Sequence, residues 1–306
     1  MNESAYREAE AKLWATYELD PAEQMIRLPR IGSQVRVQEV GDGDPVLFIH
    51  GGPNAGSTWA PMLPHFPGFR CLLVDRPGTG LSEPLPLRPD TFVEFASRFV
   101  GDVLDGLGID TAHVVASSLG GHLALRSAAA EPHRFRRMVQ MACPALVPGD
   151  RLPPFMKLMR IGLVRRFLDL LPPNDRANRS ILRQIGHGAS LDAGRIPQGF
   201  FDWYLGLARH TDTMRNDGDM IGWLTRPDTM SRVRLTEGLL ATVETPTLFI
   251  WGSDDAFGGE DVARTVVSAM PDAELVMLPD SGHLPWLDFP QRAGELSAEF
   301  LGGAER

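Results

Sequence analysis

The stretch HVVASSLGG, His113–Gly121, decides the fold. A buried strand runs directly into a helix here through small residues, and a serine held at so tight a turn cannot retreat into the core. Its hydroxyl projects at the carboxyl end of the sheet. The pattern is small-x-Ser-x-Gly: Ala116 takes the first small position, Ser118 is the candidate nucleophile and Gly120 completes the motif. Small residues are needed on both sides because the turn brings strand and helix backbones close together. Of the two adjacent serines, Ser118 has glycine two positions on and Ser117 has Leu119 there, so the nucleophile is assigned to Ser118.

Outward from this turn, strand-like runs recur at 24–29, 34–40, 46–49, 71–75, 113–117, 137–142, 247–251 and 274–278. Helix-like segments lie near 4–17, 59–65, 91–107, 119–130, 260–269 and 288–301. Strands alternating with helices imply parallel crossovers. The expected fold is α/β, a mostly parallel sheet of about eight strands with helices on both faces. The alternation stops between about 145 and 235, where helical segments follow one another. The expected organisation is a core of residues 1–144 and 236–306 with a helical cap, 145–235, inserted after the sixth strand. Within the cap, 153–171 is apolar nearly all round, and Phe200, Tyr204, Leu207 and Ala208 recur at helical spacing. Candidates for an apolar substrate pocket are Phe155, Met159, Trp203, Tyr204 and Trp223 from this region, with Trp59 and Trp286 from the core. Aromatic and Met residues at such spacing also serve simply to pack a cap onto a core.

At 306 residues, 43% hydrophobic and 23% charged, the chain has the composition of an ordinary globular protein. Its net charge of -9 argues against nucleic acid as a partner, because neutralising phosphates needs a clustered positive surplus. Residues 145–235 carry +5 and the remainder -14, which fits a solvated cap surface complementing an acidic core; attraction of acidic substrates is the alternative. The opening MNESAYREAEAKLW is charged where an export signal needs an apolar run, and the uncharged stretch from Pro45 to Phe69 is too broken by Gly and Pro to cross a membrane. A cytoplasmic protein without membrane association is expected. Cys71 and Cys143, each beside an apolar run, read as buried free thiols. The eight histidines show no metal-binding spacing, so no metal and no cofactor are expected.

Three further strand ends carry chemistry. The strand ending at Ile49 enters HGGPNAGSTW, 50–59, a flexible loop placed to supply an oxyanion donor. Pro53 has no N–H, so the natural donor is the Gly52 amide, and its partner is the Leu119 amide just after the nucleophile. TLFIW leads to Gly252, Ser253, Asp254 and Asp255, and ELVML leads to Pro279, Asp280, Ser281, Gly282 and His283. A serine becomes a good nucleophile when an imidazole takes its proton, and the imidazole needs a carboxylate to hold its tautomer.

With HGGP, DRPGTGLS (75–82), ASSLGG, WGSDD and SGHLPW in this order, the chain resembles the α/β-hydrolase family over about residues 24–300. The resemblance implies Ser118 as nucleophile, His283 as base, Asp255 as orienting acid, and Gly52 and Leu119 as oxyanion donors. Asp254 stays open as the acid. His50 is expected to brace the oxyanion loop. A serine at 118 disfavours epoxide and halide chemistry, for which family members use aspartate there. Hydrolysis of a small carboxylic ester, thioester or lactone through an acyl-enzyme is expected first. Carbon-carbon hydrolysis of ring-fission diketones is the alternative, suggested by HGGPNAG and Trp286. A proline iminopeptidase-like activity ranks below both, because the Gly-Gly-Ser-Trp-Gly elbow is absent. A ligand receptor without turnover would typically lack a triad member, and none is missing. Oligomeric state is left open.

Overall fold

The computed structural model describes residues 1–159, 161 and 172–303. The strands are β1 (Ala22–Arg27), β2 (Gln34–Val40), β3 (Asp44–Ile49), β4 (Phe69–Val74), β5 (Ala112–Ser117), β6 (Phe135–Met141), β7 (Thr247–Gly252) and β8 (Ala273–Leu278). They form one sheet in the order β1-β2-β4-β3-β5-β6-β7-β8. β2 runs antiparallel to β1 and β4, and every pair from β4 to β8 is parallel. The expected α/β architecture is therefore present.

Alternation along the strands explains the two layers of core, since successive side chains point to opposite faces. Leu47, Ile49, Val114 and Ala116 face helices α2 (Phe92–Leu107) and α3 (Ser118–Ala130), in one cluster with Phe99 and Leu123. Val46, Phe48 and Val115 face the other way, in a cluster with Trp14, Trp59, Trp286 and Leu301. β3 lies between β4 and β5, so the chain leaves β3 on one side and returns on the other. That reversal opens a crevice at the carboxyl ends of β3 and β5, the usual place for a ligand in such sheets.

One helical expectation needs correction. The segment 59–65 is not one helix but two short 3-10 turns, Gly56–Trp59 and Leu63–His65. Pro61, Pro64 and Pro67 remove the N–H groups a continuous helix requires. The segment expected near 288–301 is a helix, Pro290–Gly302, which starts at a proline whose missing N–H costs nothing there.

Between β6 and β7 the described residues form helices and no strand: α4 (Pro154–Met159), α5 (Asp175–Gln184), α6 (Gly188–Asp192), α7 (Gln198–His210), α8 (Thr213–Leu224), α9 (Pro227–Val233) and α10 (Glu237–Leu240). Of the helix expected over 153–171, α4 is described; the rest, and the Met159 side chain, lie outside the described residues. α7 packs on α1 (Glu3–Thr16) so closely that a Cβ added at Gly206 would lie 2.6 Å from Ala9 Cβ. α1 in turn covers Arg36, which pairs with the buried Glu10 and, at 2.7 Å, with Glu23 Oε2. Tyr6 Oη donates to Glu10 at 2.9 Å in the same cluster. Among the described residues no helix is long and apolar enough to cross a membrane. Cys71 and Cys143 are both buried and free, and burial pushes the Cys71 thiol up to about 12.

Candidate active site

The elbow is strained where the sequence pattern expects it. Ser118 has a φ of 53°, a left-handed conformation that non-glycine residues rarely adopt. Its side chain is half-buried, whereas Ser117 is fully buried. Gly120 is required by close approach: a Cβ there would lie 2.2 Å from the Ile49 carbonyl oxygen and 2.6 Å from that of His50. Leu119 is the second residue of α3, so its amide has no helical carbonyl four residues back to bond. The helix dipole adds partial positive charge at the same end.

His283 and Asp255 come together at the carboxyl ends of β8 and β7. His283 Nδ1 lies 3.0 and 2.9 Å from the two Asp255 carboxylate oxygens. Asp254 is exposed and its Oδ1 accepts from Ser253 Oγ, so the carboxylate on His283 is Asp255. Two backbone amides fix that carboxylate, Cys143 N to Oδ2 at 3.0 Å and Phe257 N to Oδ1 at 2.9 Å. The turn after β6 therefore bridges the constellation: it holds Asp255 through Cys143 and Ser118 through a 2.9 Å bond from Ala145 N to the Ser118 carbonyl. The other imidazole nitrogen, His283 Nε2, is buried and has no hydrogen-bond partner among the described residues. No bond joins it to Ser118 Oγ here; such bonds often tighten only when substrate is bound. The Phe257 ring lies over the imidazole at 4.2 Å between centroids.

A second buried His–Asp pair, not anticipated from sequence, holds the loop that carries His283. His187 Nδ1 lies 2.9 Å from both Asp288 oxygens, and His187 Nε2 accepts from Leu284 N at 3.2 Å. Asp288 also accepts from Ser281 Oγ and Gly282 N. Burial pushes the Asp288 carboxyl up, but the bonds from His187 and its neighbours outweigh it and hold the group below the usual carboxylate range. A depressed folded value means its stabilisation is in place above the ordinary carboxylate range and is lost as pH falls below about 4. Asp288→Asn is expected to lower unfolding free energy by about 2 kcal/mol at pH 7, with the gap to wild type closing in acid. Urea unfolding at several pH values checks this.

The loop after β3 packs directly on the elbow. A Cβ added at Gly51 would lie 2.8 Å from Ser118 Cβ and 3.4 Å from its Oγ. His50 is fully buried; its Nε2 accepts from Arg76 N at 3.2 Å, so Nδ1 carries the proton and donates to the Gly51 carbonyl at 2.6 Å. Burial and the Arg76 guanidinium hold His50 well below the usual imidazole range. A neutral, fully bonded imidazole braces this loop, as expected.

The pocket candidates are less concentrated. Trp59 and Trp286 are fully buried against each other, 4.2 Å between ring centroids, with Trp286 Nε1 donating to the Thr58 carbonyl. Trp203 is fully buried beside Phe200, while Tyr204, on the same helix, donates to the Pro53 carbonyl at 3.2 Å. Phe155 is half-buried in the second cluster, and Trp223 stands edge-on to Phe92 in the first. Tyr204 thus touches the loop after β3, whereas Trp223 does not belong to that group.

Residues 44–290 match the family model described as the alpha/beta hydrolase fold. The chain belongs to that family. A 2-hydroxy-6-oxononadienedioate/2-hydroxy-6-oxononatrienedioate hydrolase of Paraburkholderia phymatum is 28% identical over 287 residues, 89% of this chain and 92% of the relative. A 2-hydroxy-6-oxo-6-phenylhexa-2,4-dienoate hydrolase of Burkholderia cepacia is 26% identical over 88% of this chain and 91% of its own length. Among solved structures, a Bacillus subtilis carboxylesterase superimposes with a TM-score of 0.77 at 20% identity, covering 99% of both chains. As a member of the alpha/beta hydrolase fold family with hydrolases as relatives, the chain is a hydrolase.

Proposed function

We propose that this chain is a serine hydrolase of small molecules that cleaves a carbon-carbon bond beside a ketone, in a substrate of the 2-hydroxy-6-oxodienoate type. Hydrolysis of an ester, the first expectation from sequence, gives way to this alternative. The observation that carries the change is the set of relatives matching nearly nine-tenths of the chain, which are named for that substrate type. Ser118 is the nucleophile, His283 the base and Asp255 the acid that orients it. The two oxyanion donors are the amides of Gly52 and Leu119. Residues 145–235 act as a cap that shapes the substrate cavity.

The step balances with these groups alone. His283 Nε2 takes the Ser118 proton as Oγ attacks the ketone carbon, and the carbonyl oxygen becomes an anion facing the two amides. The bond to the next carbon then breaks. The dienol reacts as its keto tautomer, its 2-hydroxyl proton having moved to C5, so the electron pair of the C5–C6 bond flows through the C3=C4 bond to the 2-oxo oxygen and the proton held on His283 completes a 2-hydroxydienoate product. Water, deprotonated by His283, releases the acyl group. Carbon-carbon and ester cleavage share the attack and differ in the leaving group, so one chain can be asked about both.

The test is a panel containing 2-hydroxy-6-oxo-6-phenylhexa-2,4-dienoate, nitrophenyl esters of increasing acyl length and lactones. The expected result is a kcat/KM for the dienoate at least about 10-fold above the best ester, a difference of about 1.4 kcal/mol in transition-state binding. Ester turnover with no dienoate cleavage would return the function to a carboxylic ester hydrolase.

A further inference from the structure

We infer that Arg76 is a positioning residue for the oxyanion site: its guanidinium, anchored by Asp217 from the inserted helices, fixes and polarises the peptide whose N–H is the Gly52 donor. The inference rests on the serine-hydrolase reading above and deepens it. Arg76 is buried just after β4, in the DRPGTGLS segment, and each of its three nitrogens is hydrogen-bonded. Nε donates to the His50 carbonyl at 3.0 Å, Nη2 donates to the Gly51 carbonyl at 3.1 Å, and Nη2 also meets Asp217 Oδ2 at 2.6 Å. The Gly51 carbonyl therefore receives two donors, the cationic guanidinium and the neutral His50 Nδ1–H.

The consequence follows from peptide geometry. In a trans peptide the C=O and the next N–H point in opposite directions in one plane. Pinning the Gly51 oxygen toward Arg76 and His50 turns the Gly52 N–H away from them. The plane cannot rotate without losing both bonds. A cation on the carbonyl also draws electron density from the amide, which makes its N–H a stronger donor when negative charge develops in front of it. Arg76 thus acts on the reaction through the peptide.

Asp217 gives the device its second half. It lies on α8, and burial pushes its carboxyl up while Arg76 opposes that shift. The same helix begins at Thr213, whose hydroxyl accepts from Gly80 N, and carries Asn216, which donates to the Gly78 carbonyl. The insertion therefore holds the loop after β4 at three points, and through Arg76 it holds the loop after β3. A Cβ at Gly52 would lie 2.7 Å from Asp217 Oδ2, so no larger side chain fits where the two loops and α8 meet.

Arg76→Lys is the decisive variant. It keeps the charge for Asp217, but a compact ammonium cannot hold two carbonyls and a carboxylate in the same fixed fork. Removing an oxyanion donor outright costs about 100- to 1000-fold, so misaiming one is expected to lower kcat by about 10- to 100-fold with KM changed less than about 3-fold. The second readout is inhibition by a trifluoromethyl ketone, whose adduct on Ser118 places a negative oxygen in the same site. Its Ki is expected to rise by the same factor as kcat/KM falls, while inhibition by the acid product stays at the wild-type value. Asp217→Asn, which removes one anchor and leaves both carbonyl bonds, is expected to give the same pattern at about 3- to 10-fold; it carries the test if Arg76→Lys does not fold. Wild-type kcat and Ki in the folded variant, or loss confined to KM and product binding, overturns the role of Arg76. Wild-type protein that neither cleaves the dienoate or 4-nitrophenyl butyrate nor binds the ketone refutes the serine-hydrolase reading instead.

Discussion

Ser118→Ala is expected to lower kcat by about 10,000-fold or more on every substrate the protein turns over, with KM little changed and the fold intact. The magnitude follows from the division of labour at the site. Deleting the hydroxyl removes covalent attack but leaves the proposed oxyanion amides and base in place, so a residual rate above that in water is expected. Stability is expected to move little. The Ser118 side chain makes no hydrogen bond among the described residues, and alanine there still pays for the positive φ of 53°. Ser117→Ala is the matched control: its hydroxyl is buried without a partner, so alanine is expected to leave kcat within about 3-fold and to cost no hydrogen bond. Steady-state kinetics with circular dichroism on both variants separates chemistry from folding.

Asp255→Asn is expected to lower kcat by about 10,000-fold for a different reason. The aspartate accepts at Oδ2 from Cys143 N, at Oδ1 from Phe257 N, and at both oxygens from His283 Nδ1. An amide offers one acceptor and one donor. Whichever way Asn is turned, its NH2 faces a backbone N–H, and the imidazole either loses its acceptor or takes the wrong tautomer. The variant is therefore expected to lose about 1–3 kcal/mol of stability as well as activity, because a buried donor is left unsatisfied. Asp254→Asn is expected to be neutral in both respects, since that side chain is exposed. Kinetics and urea unfolding of the two variants, compared directly, check the choice of carboxylate.

What the sequence could disclose depended on how local the controlling physics was. The strands were legible because burial on both faces writes long apolar runs, and β5 and β7 are buried at every position. The placing of Ser118, Asp255 and His283 at one edge was legible because each comes within a few residues of the end of a parallel strand, β5, β7 or β8. The Gly120 requirement was legible for the same reason. Arg76 lies in the DRPGTGLS segment, yet the role proposed for it depends on Asp217, 141 positions away on α8. His187 and Asp288 are separated by 101 positions, and nothing in their neighbourhoods in sequence announces a pair. Arg36, in the run QVRVQEV, is buried because α1 folds over it with Glu10, and nothing near it in sequence announces that. The helix expected near 59–65 is absent because the prolines there cannot donate helical hydrogen bonds. Contacts that close over long distances in sequence were the ones out of reach.

Covalent labelling with a fluorophosphonate, followed by peptide mapping by mass spectrometry, tests Ser118 as the activated nucleophile. The reagent reacts with a serine only when a base strips its proton and donors stabilise the tetrahedral phosphorus centre. One adduct per chain, on Ser118, abolished in Ser118→Ala and slowed in Asp255→Asn, is the predicted result. An unlabelled protein that still turns over its substrate, or an adduct carried on Ser117 or any other residue, would rule out Ser118 as the nucleophile.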